Sequence, residues 1–344
     1  MTSQQIAQDK TLLGGYGYQI IRQQSKRVFK LRSQVLADTD PEPLHQMRIG
    51  TRRLRSALNL FSDVVEIGDP QPGTDSGEQV SPSKAVGKLT KALGKVRDLD
   101  VMQQWFEQTL VKPEENNSAT DSDLSKTERK TIKALLKKLK KRRKKQFSRL
   151  EKFLKKKTYK KLTRLFKRWV EQPVFSAAAQ QPAQRAAATR IVSPITELLQ
   201  HSGWLVATRK HNDQTVPISN ISLSKLNQLF KEEGDRLHDL RKQIKDIRYQ
   251  TEFFRGLYDI TYAAQVREFR NLQSILGQLQ DQIVVSQFLA DELGSDWPQQ
   301  LPTLEAAFQT SRLELWQQWQ PYQRKYLKLR STLPGEALKE AAIA

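Results

Sequence analysis

Between Lys126 and Arg168 an apolar side chain returns mostly every three or four residues, through Ile132, Leu135, Leu136, Leu139, Phe147, Leu150, Phe153, Leu154, Leu162, Leu165, Phe166 and Trp169. That spacing lays one stripe along an α-helix or a helix pair. The same segment carries 22 Lys and Arg against two acids, Glu128 and Glu151, and so holds +20 of the chain's net charge of +21. Thirteen pairs of cations stand four residues apart within it. At roughly 0.2–0.5 kcal/mol per pair their repulsion reaches about 3–6 kcal/mol, against a total stability of about 5–15 kcal/mol for an ordinary domain. A bound polyanion would relieve that strain, so the run reads as a ligand face in preference to a merely solvated one.

The remaining residues are nearly balanced in charge, and a hydrophobic content of 38% in 344 residues supplies one large or two modest cores. Helical periodicity runs through Ile20–Val35, Leu44–Phe61, Val86–Leu110, Leu237–Tyr258 and Val266–Leu289. Strand alternation is not convincing anywhere, which predicts an all-α protein with a bundle architecture. Polar stretches at 66–83, 112–123 and 171–184 read as loops, and Leu13-Gly14-Gly15-Tyr16-Gly17 as an N-terminal turn. With no cysteine, disulfides, thiolate catalysis, iron–sulfur clusters and the usual zinc modules are excluded. No apolar run is long enough to span a bilayer, and MTSQQIAQDK lacks a signal core. The expectation is a soluble, cytoplasmic chain without membrane insertion, whose partner is acidic.

Two blocks recur in order. His45, Arg48, Arg52 and Arg55 share their offsets with His238, Arg241, Lys245 and Arg248, and Leu93-Gly94 through Asp98 parallels Leu276-Gly277 through Asp281. Two homologous helical halves follow, expected at 1–190 and 191–335 with a tail at 336–344.

On a helix His45, Arg48, Arg52 and Arg55 fall within about 80° beside an apolar flank, and the second block repeats this. Placed together, the two blocks would line a basic groove. Such a groove suits phosphate, because Arg offers a planar fork while Lys follows an extended chain. Arg97 is a further candidate for the lining, where the second half has Gln280. Asp98, Asp100 and Asp281 read either as divalent-ion ligands or as carboxylates that orient the arginines, with orientation favoured. His201 and His211 lack such a setting and read as structural. No Walker-type loop, zinc motif or nucleophile elbow is present, so no catalytic constellation and no cofactor is assigned.

The blocks HQMRIGTRRLRSALNLF, GKVRDLD and HDLRKQIKDIRYQTEFF resemble the CHAD family, named for histidines in an α-helical domain, and the similarity extends from TLLGGYGYQIIRQQ to about residue 330. The resemblance implies two pseudo-symmetric four-helix bundles with a basic groove or channel that binds inorganic polyphosphate, and an association with polyphosphate granules. Carried over, the ligand residues are His45, Arg48, Arg52, Arg55, His238, Arg241, Lys245 and Arg248, with Asp98 and Asp281 in support. A helix from Lys133 to Arg168 adds contacts from Lys133, Lys137, Lys141, Lys144 and Lys145. The first half is expected to bind more strongly, since the second replaces Arg52-Arg53 by Lys245-Asp246 and lacks an arginine before Asp281.

Two other readings stay open. A nucleic-acid binder without sequence specificity uses the same phosphate neutralisation, but the aromatics of the basic run occupy its apolar stripe and are not free to stack bases. A metal-dependent polyphosphate or triphosphate hydrolase would need a constellation that the sequence does not display. Adsorption to anionic membranes is weaker still.

Overall fold

The computed structural model of the protein describes residues 1–68, 81–110, 124–212 and 214–332. The expected loop at 112–123, most of that at 66–83 and the tail at 336–344 lie outside the described residues. The helices are α1 (Ser3–Gln8), α2 (Leu13–Lys30), α3 (Arg32–Ala37), α4 (Glu42–Leu60), α5 (Pro82–Leu110), α6 (Lys126–Lys155) and α7 (Lys157–Glu171). After them come α8 (Ala183–Gln200), α9 (Leu223–Phe254), α10 (Ile260–Leu293), α11 (Trp297–Gln300) and α12 (Pro302–Thr332). Among the described residues the fold is all-α apart from one hairpin, β1 (Thr208–His211) with β2 (Gln214–Pro217), paired antiparallel. Sequence reading missed this hairpin because most of β1 is exposed and shows no alternation of buried and exposed side chains.

Two compact units form. The first contains the described parts of 1–109 and 134–187, the second those of 110–133 and 188–344.

In the first unit α2 packs along α4 through Ile21, Val28, Met47 and Leu54, each fully buried. A Cβ on Gly50 would stand 3.0 Å from Val28 Cγ2, so glycine permits this close approach. The other side of α2 meets α7, with Phe29 against Tyr159 and Phe166 at ring separations of 6.1 and 5.6 Å and Tyr18 against Trp169 at 5.4 Å. The stripe of the basic run is thereby covered. The single helix expected over Lys133–Arg168 is in fact two, broken at Lys156 in extended backbone (ψ 153°). Tyr159 stands about 140° round a continuous helix from Leu154, so only a break turns both of these buried residues inward.

Leu13–Gly17, expected as a turn, is the first turn of α2. Its glycines serve contact. A Cβ on Gly15 would lie 2.0 Å from the Asp9 carbonyl oxygen, on Gly14 2.6 Å from Ile6 Cγ2, and on Gly17 2.8 Å from Phe61 Cδ1.

One arginine of the basic run faces inward. Arg143 on α6 donates through Nη2 to Asp38 Oδ1 at 2.6 Å and through Nε to Asp100 Oδ1 at 2.8 Å, with Nη1 on the second oxygen of Asp38. Asp38 reaches it from a left-handed residue at the end of α3 (φ 52°). The bonds to Asp38 first, and then to Asp100, hold the guanidinium protonated more firmly than usual. The clamp fixes the lysine-rich helix to α3 and α5.

The second unit is built on an aromatic stack, Trp204 lying flat between Trp319 at 5.0 Å and Tyr326 at 4.4 Å. Gln323, fully buried on α12, donates to the carbonyls of Trp204 (2.9 Å) and Val206 (2.7 Å) and ties α12 to the approach of the hairpin. At the start of α6 the Glu128 carboxylate accepts from the backbone of Ser125 and Thr303, both at 2.9 Å. Burial alone would raise its pKa, but these bonds hold it below the usual carboxylate range.

Two stability outcomes follow from this packing. Gly15→Ala should lower the unfolding free energy in urea by about 2–3 kcal/mol, whereas Gly234→Ala in α9, where a Cβ meets nothing within 4 Å, should raise it by about 0.5–1 kcal/mol. Arg143→Met should cost about 2–4 kcal/mol by leaving two carboxylates without their partner. Adding Asp38→Asn and Asp100→Asn to that variant should recover part of the loss, and no recovery would show that the clamp is not the cause.

Candidate anion-binding site

Each unit builds the same seat from a pair of neighbouring helices. In the first unit the guanidinium of Arg48 on α4 lies across Gly94 on α5, where a Cβ would stand 3.5 Å from its Nε. One turn on, Asp98 Oδ1 accepts from Arg48 Nη2 at 2.9 Å. Arg55 lies in the same way over Gly87, at 3.7 Å from a Cβ placed there. Two arginines seven apart on α4 thus match two glycines seven apart on α5. In the second unit Arg241 on α9 lies across Gly277 on α10, its Nε 3.6 Å from the corresponding Cβ position. In each place a Cβ would come into van der Waals contact with the guanidinium, so the glycine lets the arginine lie close against the helix surface.

Beside each arginine sits the histidine one turn earlier. His45 and His238 are both half-buried. Burial first, and then the charge of Arg97, push His45 below its ordinary value, with smaller contributions from Arg48 and Arg52 and an opposing one from Glu42. His238 Nδ1 stands 2.8 Å from Gln280 Oε1. Gln280 occupies the place in α10 that Arg97 holds in α5, so the residue before each aspartate faces the histidine.

The first seat therefore brings together His45, Arg48, Arg97 and Asp98, with Arg52 half-buried on the same face of α4 and Arg55 exposed. The second brings together His238, Arg241 and Gln280, with Lys245 Nζ 3.9 Å from Asp246. Arg248, the counterpart of Arg55, is turned inward. Its Nε donates to Gln273 at 2.6 Å, its Nη1 pairs with the buried Glu252 carboxylate, and that carboxylate also takes Arg270 at 2.9 Å. Arg270 stands where the first unit has Gly87, which removes the glycine seat. Asp281 is exposed one residue past Gln280.

Lys133, Lys137, Lys141, Lys144 and Lys145 are all exposed on α6, turned away from its buried stripe. None of the five has an ion-pair partner among the described residues, whereas Lys140 reaches Glu107 at 3.1 Å and Lys155 reaches Glu151 at 2.6 Å. Asp100, one of the three aspartates singled out, belongs to the Arg143 clamp. His201 caps a short 3₁₀ turn, its Nδ1 accepting from Gly203 N at 2.9 Å, and burial lowers its pKa. Among the described residues no cluster of three or more His, Asp or Glu is placed to hold a metal ion, and no helix is long and apolar enough to cross a membrane.

Sequence reasoning did not single out Arg143 or the glycine seats, and it noted Gln280 only as the counterpart of Arg97. Leu-Gly was visible as part of the echo, but not as the surface on which an arginine rests.

Comparison with known proteins bears on the fold and the family. A crystal structure of the CHAD domain from the plant Ricinus communis superimposes with a TM-score of 0.58 at 21% identity, covering 94% of this chain and 93% of that one. PptA from Streptomyces chartreusis superimposes with a TM-score of 0.55 at 13% identity, covering 96% and 99%. At these identities the likeness is one of fold. No curated protein sequence matches the chain. The model of the CHAD domain matches residues 19–290, which include both seats and the whole of α6, and the chain belongs to the CHAD domain family.

Proposed function

We propose that this protein binds inorganic polyphosphate without breaking it down, through the two arginine–histidine seats and the lysine face of α6. The observation that carries this reading is the repetition of one seat, Arg48 on Gly94 and Arg241 on Gly277, with a histidine beside each. A guanidinium laid flat on a helix presents its fork with little freedom left to lose, which suits two oxygens of one phosphate. The unpaired lysines then supply mobile charge to further phosphates along a chain. Family membership supports the same ligand class, and binding of this kind would also bring the protein to polyphosphate granules.

Nucleic acid competes for the same charges, yet Tyr159, Phe166 and Trp169 are buried in the first unit, which leaves few rings in the basic run for base stacking. Binding to nucleic acid is accordingly expected to be the weaker activity.

Calorimetric titration with polyphosphate of defined length, at two salt concentrations and with duplex DNA at equal phosphate as competitor, tests this. Polyphosphate should win. Arg48→Glu with Arg241→Glu should weaken binding by about tenfold or more, and reversing Lys137, Lys141 and Lys144 should reduce the salt slope by on the order of one per lost contact. Helical content is checked alongside. Equal affinity for DNA, or release of phosphate in the presence of divalent metal, would overturn the reading.

A further inference from the structure

The two seats differ in charge at the residue that faces the histidine. In the second unit Gln280 Oε1, an acceptor, stands 2.8 Å from His238 Nδ1, so that nitrogen carries the hydrogen and the ring is fixed in orientation. In the first unit His45 Nδ1 is buried and has no hydrogen-bond partner among the described residues. No hydrogen bond to that nitrogen orients the ring.

The charged groups facing His45 are Arg97 from α5 and Glu42, Arg48 and Arg52 from its own helix. Glu42 already accepts from Gln46. Burial first, and then three cations, of which Arg48 is already paired with Asp98, outweigh the one engaged carboxylate Glu42 and leave the empty seat unfavourable for an imidazolium. An oxyanion bound among these cations would act against both effects, because a negative charge beside the ring favours its protonated form.

We propose that the residue before the repeat aspartate determines how each seat takes its ligand: Arg97 makes the first a seat in which His45 gains a proton from solvent as phosphate binds, whereas Gln280 makes the second one a seat oriented by a fixed hydrogen bond. This rests on the polyphosphate reading above and adds a proton to it. Since the empty His45 lies below its ordinary pKa and a bound anion raises it, uptake occurs at pH values between the two. The affinity of the first seat therefore rises as pH falls through that window.

Two measurements on the full chain test the inference. In the ligand-free protein, histidine-resolved NMR titration should show the His45 midpoint moving upward in Arg97→Gln. Calorimetry with inorganic polyphosphate in buffers of different ionisation enthalpy should show proton uptake in the parent, an uptake window displaced to higher pH in Arg97→Gln, and loss of the His45 contribution in His45→Ala. Gln280→Arg serves as the reciprocal variant and should free the His238 ring from its fixed orientation, seen as a change in its Nδ1 resonance. An unmoved His45 midpoint in Arg97→Gln, or polyphosphate binding with no proton uptake in the parent, overturns the proposal. If polyphosphate fails to bind at all, the proposal falls with the ligand reading itself. The NMR arm tells the two failures apart, since it reports the His45–Arg97 coupling without ligand.

Discussion

The opposition between a buried apolar stripe and a surface of like charge governs the rest of this molecule. Burial of an apolar side chain contributes about 1.5–3 kcal/mol, so the covered residues of α6 and α7 outweigh a repulsion of about 3–6 kcal/mol among their cations. Arg143, which has no cation four residues away on either side, faces inward instead, where Asp38 and Asp100 neutralise it and hold α6 in place. The repulsion lies on the exposed face and would fall if an anion bound there. Salt acts on the two processes in opposite senses. It screens the empty helix and makes the fold easier, and it also competes with the ligand and makes binding harder.

Repetition shows which parts of the seat the geometry requires. Arginine on glycine with a histidine one turn earlier occurs in both units. The second arginine of the block is not held to the same rule. With Gly87 in the first unit Arg55 lies on the helix and faces solvent, whereas Arg270 and Glu252 in the second draw Arg248 into an internal ion pair. One substitution of glycine by arginine, with a carboxylate to receive it, is enough to convert a surface cation into a structural one.

That distinction also marks what could be read from the sequence. Helices were legible wherever one face is buried, as in α4 and α10, since apolar spacing records burial directly. The beginning of α9 was not, because Ser224, Lys225 and Asn227 of its first turns are polar, and the helix starts instead where Ser222 accepts from the Lys225 amide. The glycines at the start of α2 read as a turn because composition alone cannot separate a glycine chosen for flexibility from one chosen for contact. Within the site, the offsets of His45, Arg48 and Arg52 were legible as one face of a helix, and all three are half-buried on α4. Nothing in a run of cations distinguishes Arg143 from its neighbours, because its role is set by Asp38 and Asp100, which lie far off in the chain.

A ligand made of identical repeating anions places particular demands on such a surface. No single phosphate need be held tightly, since each contact made by one part of the chain raises the local concentration of the next. Oriented forks suffice at a few points, and mobile charges serve better elsewhere because they tolerate any register of the chain. If the ligand is polyphosphate, the α4–α5 seat of the first unit would supply the former and the exposed lysines of α6 the latter. A small phosphate ester would gain from the seat alone and leave the lysine face unused, so the extent of that face itself argues for a long ligand.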